Sequence, residues 1–242
     1  MSGHSKWSTI KHKKAKTDHQ RGKQFSKVSK EIIMAAKIGG ADPEMNPRLR
    51  LAIQKAKSVN MPNDNVKRAI QRGIGGGDDS NYEEVMFEGY GPNGVGLIIE
   101  TLTDNKNRTV PNLKHALSKN GGSLATKGAV SYMFSKKGLF VFPPESPDEK
   151  IMEIASDSGA DDIDIKDDGS IEVMCEFENF ETVRVAFESN EIVVENASIE
   201  MIPDNIVQLT LEQAEKIEKL IEALEEDDDV QDVYSNYEAP DE

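Results

Sequence analysis

The sequence predicts an α+β protein of three domains: a small helical bundle with a basic arm, then two sheet-and-helix domains, one ferredoxin-like and inserted into the other. Three observations predict this. Apolar residues recur at helical spacing up to about residue 72. A glycine-rich stretch at 73–80 then gives way to β-branched, strand-like runs. From Leu139 to Met201 the order of elements reads β-α-β-β-α-β, the split βαβ arrangement. The boundaries that follow are 1–20 for the arm, 21–77 for the bundle, 78–137 with 203–242 for a discontinuous α+β domain, and 138–202 for the ferredoxin-like domain.

Residues 1–20 have no apolar periodicity and are read as a flexible arm that orders on binding. From Arg21 to Ile38, Phe25, Val28, Ile32 and Ala35/Ala36 make one helical stripe, and Gly39-Gly40 ends it. A second helix at 48–57 turns Leu49, Ala52, Ile53 and Ala56 inward. A third starts at Pro62, suited to a first helical turn, and runs to about Arg72. Strands at 85–90 and 95–102 flank the turn Gly91-Pro92-Asn93-Gly94. A helix is predicted from Val110 to Lys119, with Thr109 as its cap, and strands at 130–134 and 138–143. The ferredoxin-like unit supplies helices near 148–157 and 179–189, with strands at 163–165, 170–175 and 192–202. Leu211 to about Glu225 is an amphipathic helix. The last strand, Val230–Tyr234, has no local partner and is expected to rejoin the sheet of residues 81–137.

The net charge of −15 hides a strong asymmetry. Residues 1–77 hold 17 Lys/Arg against 5 Asp/Glu, whereas residues 151–242 hold 4 against 29. A basic end on an acidic chain points to a polyanion, because lysine and arginine neutralise phosphates and release counterions. The candidate nucleic-acid contacts are Lys6, Trp7, Lys11, Lys13, Lys14 and Lys16 of the arm, and Arg21, Lys23, Lys27 and Lys30 of the first helix. Arg48, Lys55, Lys67, Arg68 and Arg72 follow on the second and third helices, with Lys106 and Arg108 in a polar loop. The acidic C-terminal domains admit basic protein partners.

Other chemistry is not indicated. Gly89-Tyr90-Gly91-Pro92-Asn93-Gly94 matches the glycine pattern of dinucleotide sites, but a strand follows it where that mechanism needs a helix. His4, His12, His19 and His115 share no ligand spacing with each other or with Cys175, so neither metal nor cofactor is expected. The acidic runs lack EF-hand spacing. No nucleophile–base set stands out, so the chain reads as a non-enzyme; an enzyme with an unrecognised site in the α+β domains is the alternative. A single cysteine and a polar N-terminus, with no membrane span, suggest a cytoplasmic protein with no small-molecule substrate.

Several motifs occur together: Gly3-His4-Ser5-Lys6-Trp7, Arg21-Gly22-Lys23, Asn60-Met61-Pro62, Glu88-Gly89-Tyr90-Gly91-Pro92 and Thr103-Asp104-Asn105-Lys106-Asn107-Arg108-Thr109. In these the chain resembles, over its whole length, the YebC family, whose mitochondrial members include a translational activator of a cytochrome oxidase subunit. The resemblance implies a helical N-terminal domain and two α+β domains. It implies a DNA-binding transcriptional regulator, the usual label of bacterial members, or a translation factor acting at stalled ribosomes. One departure is Pro111-Asn112, where members often have acidic or small residues, so the start of that helix is expected to differ.

Overall fold

The computed structural model describes residues 18–75 and 81–240, with side chains from Gly22 onward. Residues 21–135 together with 201–242 form one compact unit, and 136–200 form another.

The first unit begins with three helices, α1 (Asp18–Gly39), α2 (Pro47–Ser58) and α3 (Asn63–Ile74). The predicted stripe of α1 is its buried face: Val28, Ile32 and Ala35 pack with Leu49, Ala52, Ala56 and Ala69. Asn46 joins α1 to α2. Its side chain caps α2 by accepting from Leu49 N, while its amide donates to the Ala35 and Gly40 carbonyls of the α1 end. Two predicted boundaries change. Asp18 to Gln20, assigned to the arm, already belong to α1. Gly73, assigned to the linker, lies inside α3, where a Cβ would stand 2.5 Å from the Ile33 carbonyl oxygen. Glycine is needed there for close approach of two helices, not for a flexible joint. Pro62 is the cap residue of α3 rather than its first helical residue.

The same unit holds an antiparallel sheet. β1 (Glu83–Tyr90) pairs with β2 (Gly96–Thr103) in the register Glu83↔Thr103 to Tyr90↔Gly96, across a turn in which Asn93 has φ 60. α4 (Lys106–Lys119) and the short β3 (Ser123–Leu124) follow. After the second unit come β8 (Val207–Gln208), α7 (Leu211–Glu225), β9 (Val230–Ser235) and β10 (Tyr237–Glu238). The strand order is β3-β1-β2-β9, so the last long strand does rejoin the first sheet, antiparallel to β2. The β8–β10 ladder is a small parallel addition. Thr210 and Gln213 close a capping box that starts α7. Ile217, Leu220, Ile221 and Leu224 of α7 then join Leu113 and Leu117 of α4 over one sheet face. Burying each such side chain contributes about 1.5–3 kcal/mol. Ile98 serves the other face, with Val130, Phe134, Met201 and Tyr234.

Two predicted elements differ here. α4 begins at Lys106 rather than Val110, because Asn105 supplies the cap by accepting from Arg108 N. Pro111 consequently lies within the helix. The strand predicted at 130–134 is instead a single 3-10 turn, Ser131–Met133, and one continuous strand, β4 (Phe134–Phe142), replaces the two that were expected.

β4 leads into the second unit, followed by α5 (Asp148–Ser158), β5 (Ala160–Ile165), β6 (Ile171–Glu176), α6 (Phe180–Ser189) and β7 (Asn196–Pro203). The sheet order β5-β6-β4-β7 is that of the split βαβ arrangement read from the sequence. Phe140 stacks on Phe180 at 4.9 Å and Phe142 meets Phe187 edge-on at 4.7 Å. Cys175 is buried, and that burial pushes its thiol up to about 11, so it is a core residue rather than a reactive one.

Candidate nucleic-acid interface

Lys6, Trp7, Lys11, Lys13, Lys14 and Lys16, and the side chain of Arg21, lie outside the described residues. The other ten candidates fall into two groups.

Seven reach acceptors of the protein itself outside their own helix. On α1, Lys23, Lys27 and Lys30 follow one another at helical spacing and reach the end of α7. Lys23 donates to the Glu226 carbonyl at 2.9 Å and Lys27 to the Glu225 carbonyl at 2.8 Å. Lys30 donates to the Asp228 carbonyl at 2.7 Å and to Asp229 Oδ1 at 2.9 Å. A helix C-terminus leaves carbonyls without intrahelical donors and carries the negative end of the dipole, so it attracts ammonium groups. Burial pulls the Lys27 ammonium below its ordinary pKa, against the nearby Glu225 and Asp232. Arg48 bridges Glu31 and Glu84, Lys55 meets Asp232 at 3.2 Å, and Lys106 meets Glu83 at 2.5 Å.

Arg108 is the seventh, and its main partner is Asp229, a carboxylate 1% exposed. Asp229 Oδ2 accepts from Arg108 at 2.6 Å, from Thr109 Oγ1 at 2.9 Å and from Thr103 Oγ1 at 3.2 Å. Burial alone would raise the Asp229 carboxyl, but hydrogen bonds from Lys30, Arg108 and Thr109 outweigh it and hold the group below its ordinary pKa. The hydrogen bonds that Arg108 donates to Asp229 and Asp104 in turn raise its own pKa. Thr109, predicted as a helix cap, is a buried member of this cluster instead. The arginine of the polar loop thus pairs with a buried carboxylate while its own side chain stays about half exposed, 48% against 2% for Asp229.

The remaining three are Lys67, Arg68 and Arg72, of which Arg72 also has an interaction partner. They are exposed on one side of α3, opposite the buried Ala69 and Gly73. Arg68 bonds within its own helix, to the Asp64 carbonyl and to Asn65.

A cleft of about 790 Å³ opens beside α1, bordered by Phe25, Lys30, Arg72, Tyr82, Arg108 and Asp228. Lys30 and Arg108 on its wall are turned to Asp229, so the cleft mixes both signs of charge. Among the described residues, no group of His, Cys, Asp and Glu is arranged to hold a metal ion, and no helix is long and apolar enough to cross a membrane.

In the sequence Asp229 belongs to an acidic run that reads as a solvated face, and Glu88 to the Glu-Gly-Tyr motif; the fold buries both. Glu88, 4% exposed, accepts from the backbone N–H of Gly128 at 2.7 Å, Val130 at 2.6 Å and Ser131 at 2.8 Å. Burial pushes this carboxyl up, and the three N–H groups more than reverse that. Tyr90 adds a bond to the Ala129 carbonyl at 2.8 Å. The Glu-Gly-Tyr motif therefore folds the 125–133 loop. Its signal was an acid directly after the apolar run Val85-Met86-Phe87 of β1.

The family model described as the TACO1/YebC protein N-terminal domain matches residues 5–76, and that described as the TACO1/YebC second and third domain matches residues 82–237. Proteins named probable transcriptional regulatory protein from Burkholderia thailandensis and Burkholderia lata are each 51% identical over 236 residues, covering 98% of both chains. The crystal structure of a conserved hypothetical protein from Aquifex aeolicus, 44% identical, superposes with a TM-score of 0.86 over 98% of each chain.

Proposed function

The chain belongs to the TACO1/YebC family, and from that premise we propose that it is a non-enzymatic regulator of gene expression that holds RNA of the ribosome through phosphate contacts of its N-terminal third. The relatives' name, probable transcriptional regulatory protein, supports a regulator. The observation that carries the contact is the exposed pair Lys67 and Arg68 on α3, together with a sequence over residues 1–20 in which five lysines accompany one tryptophan. Lys23, Lys27 and Lys30 hold the fold together in this reading rather than meeting the ligand. Separate apolar clusters, one within residues 25–82 and one within 87–124 and 207–237, support dividing the first unit into a helical domain and an α+β domain. The division into 21–77, 78–137 with 203–242, and 138–202 is part of the same proposal.

RNA is favoured over promoter DNA because lysine-rich segments with a single aromatic supply phosphate contacts and stacking, not the paired donors that read base edges. Co-sedimentation of the full chain with ribosomes, set beside retention on duplex DNA, tests it. Ribosome binding that survives moderate salt and is lost in the Lys11→Glu/Lys13→Glu/Lys14→Glu variant is the expected result. Sequence-specific footprints on duplex DNA with no ribosome binding would overturn it.

A further inference from the structure

α4 is the one helix of the α+β part whose charge runs against the chain. Its 14 residues include Lys106, Arg108, Lys114 and Lys119 and no Asp or Glu, in a protein of net charge −15. Thr109, Leu113 and Leu117 are its buried side. Helical spacing then places two rows outward, Asn107-Pro111-Lys114-Ser118 and Arg108-Asn112-His115-Lys119. All eight residues are exposed.

The four cations have different fates. Lys106 pairs with Glu83, and Arg108 with Asp104 and Asp229. Lys114 and Lys119 make no hydrogen bond or ion pair with a described residue. The cations identified from the loop motif are thus the occupied ones, and the available ones lie two to three turns further along the helix.

We infer that the outward face of α4, centred on Lys114 and Lys119, is a second docking surface for the sugar–phosphate backbone of duplex RNA, separate from α3; this rests on the nucleic-acid reading above. The two lysines are point charges suited to phosphates. The amide, hydroxyl and imidazole groups of Asn107, Ser118 and His115 around them are partners for 2′-hydroxyls, which distinguish RNA from DNA. The only guanidinium of the helix, Arg108, is turned to Asp229, so the face has no bidentate reader of guanine. Contact is therefore with backbone and shape rather than base sequence. The helix itself carries no Asp or Glu; the Asp227 carboxylate borders the face at Asn112, which donates to it at 2.9 Å, so the docking surface is the C-terminal half around Lys114 and Lys119.

The test uses the full chain with the Lys114→Glu/Lys119→Glu and Lys114→Gln/Lys119→Gln variants, titrated with a duplex RNA of two helical turns, the matching DNA duplex and poly-glutamate over a salt series. The expected result is a loss of RNA affinity of about tenfold or more and a fall of about 2 in the salt slope, one per phosphate contact. The Gln pair should show the same direction with a smaller loss, the DNA loss should be weaker, and the melting temperature should not change. Unchanged RNA affinity in both variants, while Lys67→Gln/Arg68→Gln still weakens binding, would overturn the α4 surface alone. Equal losses on RNA and DNA would overturn the assignment to RNA. Poly-glutamate binding as tight as RNA binding, and lost in the same variants, would reassign the face to an acidic protein. A wild-type chain that binds no nucleic acid would instead sink the proposed function itself.

Discussion

The lysines of α1 and the cations of α3 look alike in the sequence, yet they end in opposite environments. Lys23, Lys27 and Lys30 close on the carboxyl end of α7, whereas Lys67 and Arg68 remain at the surface of their own helix. Both helices carry a local excess of positive charge. What separates them is an acceptor cluster, Glu225 to Asp229, about two hundred residues away in the chain. Charge excess establishes that a region can meet a polyanion; only the fold determines which cations are still available to do so.

The largest test of this contrast removes the central acceptor. Asp229→Ala leaves Lys30 and Arg108 without the buried carboxylate that joins them. A loss of about 3 kcal/mol is expected, as for other buried pairs stripped of one partner, read as a lower urea midpoint at constant m-value. A loss below about 1 kcal/mol would show that the α1 lysines are not consolidating the fold.

Glu88 sharpens the comparison, because its partners are backbone N–H groups rather than cations. Glu88→Gln keeps the shape but not the charge that all three donors share, and is expected to cost about 2 kcal/mol at neutral pH. The sign with pH follows from the depressed carboxyl. Its stabilisation is fully present above the ordinary carboxyl pKa of about 4.3, and is lost as pH falls through the lower folded value. Urea midpoints measured downward from pH 5 should therefore fall less steeply in Glu88→Gln than in the wild type; parallel curves would contradict the assignment.

The same distinction explains what could be read from the sequence. α7 was legible because Ala214, Ile217, Leu220, Ile221 and Leu224 repeat at helical spacing. The ferredoxin-like order and the return of β9 followed from local patterning and from an unpaired terminal strand. Where the reading failed, a long-range polar group had intervened. Val130 to Phe134 has strand composition, but Glu88 collects the N–H groups of Val130 and Ser131 and bends the segment into a turn. Thr109 looks like a cap, but Asp229 draws it inward and leaves Asn105 to start α4. Gly73 reads as linker composition, although its small size is what lets α3 touch α1. The candidate site was legible as a basic region and not as a surface, for the same reason: the partners of Lys30 and Arg108 lie beyond any local window.

The most direct measurement compares two double variants of the full chain for salt-dependent binding to duplex RNA, with a thermal melt of each. Lys67→Gln/Arg68→Gln is expected to lower the slope of log affinity against log salt by about 2 and to leave the melting temperature unchanged. Lys23→Gln/Lys30→Gln is expected to lower the melting temperature and leave the slope as it was. A slope that falls as far in the α1 pair as in the α3 pair would contradict the division between internally held and outward cations.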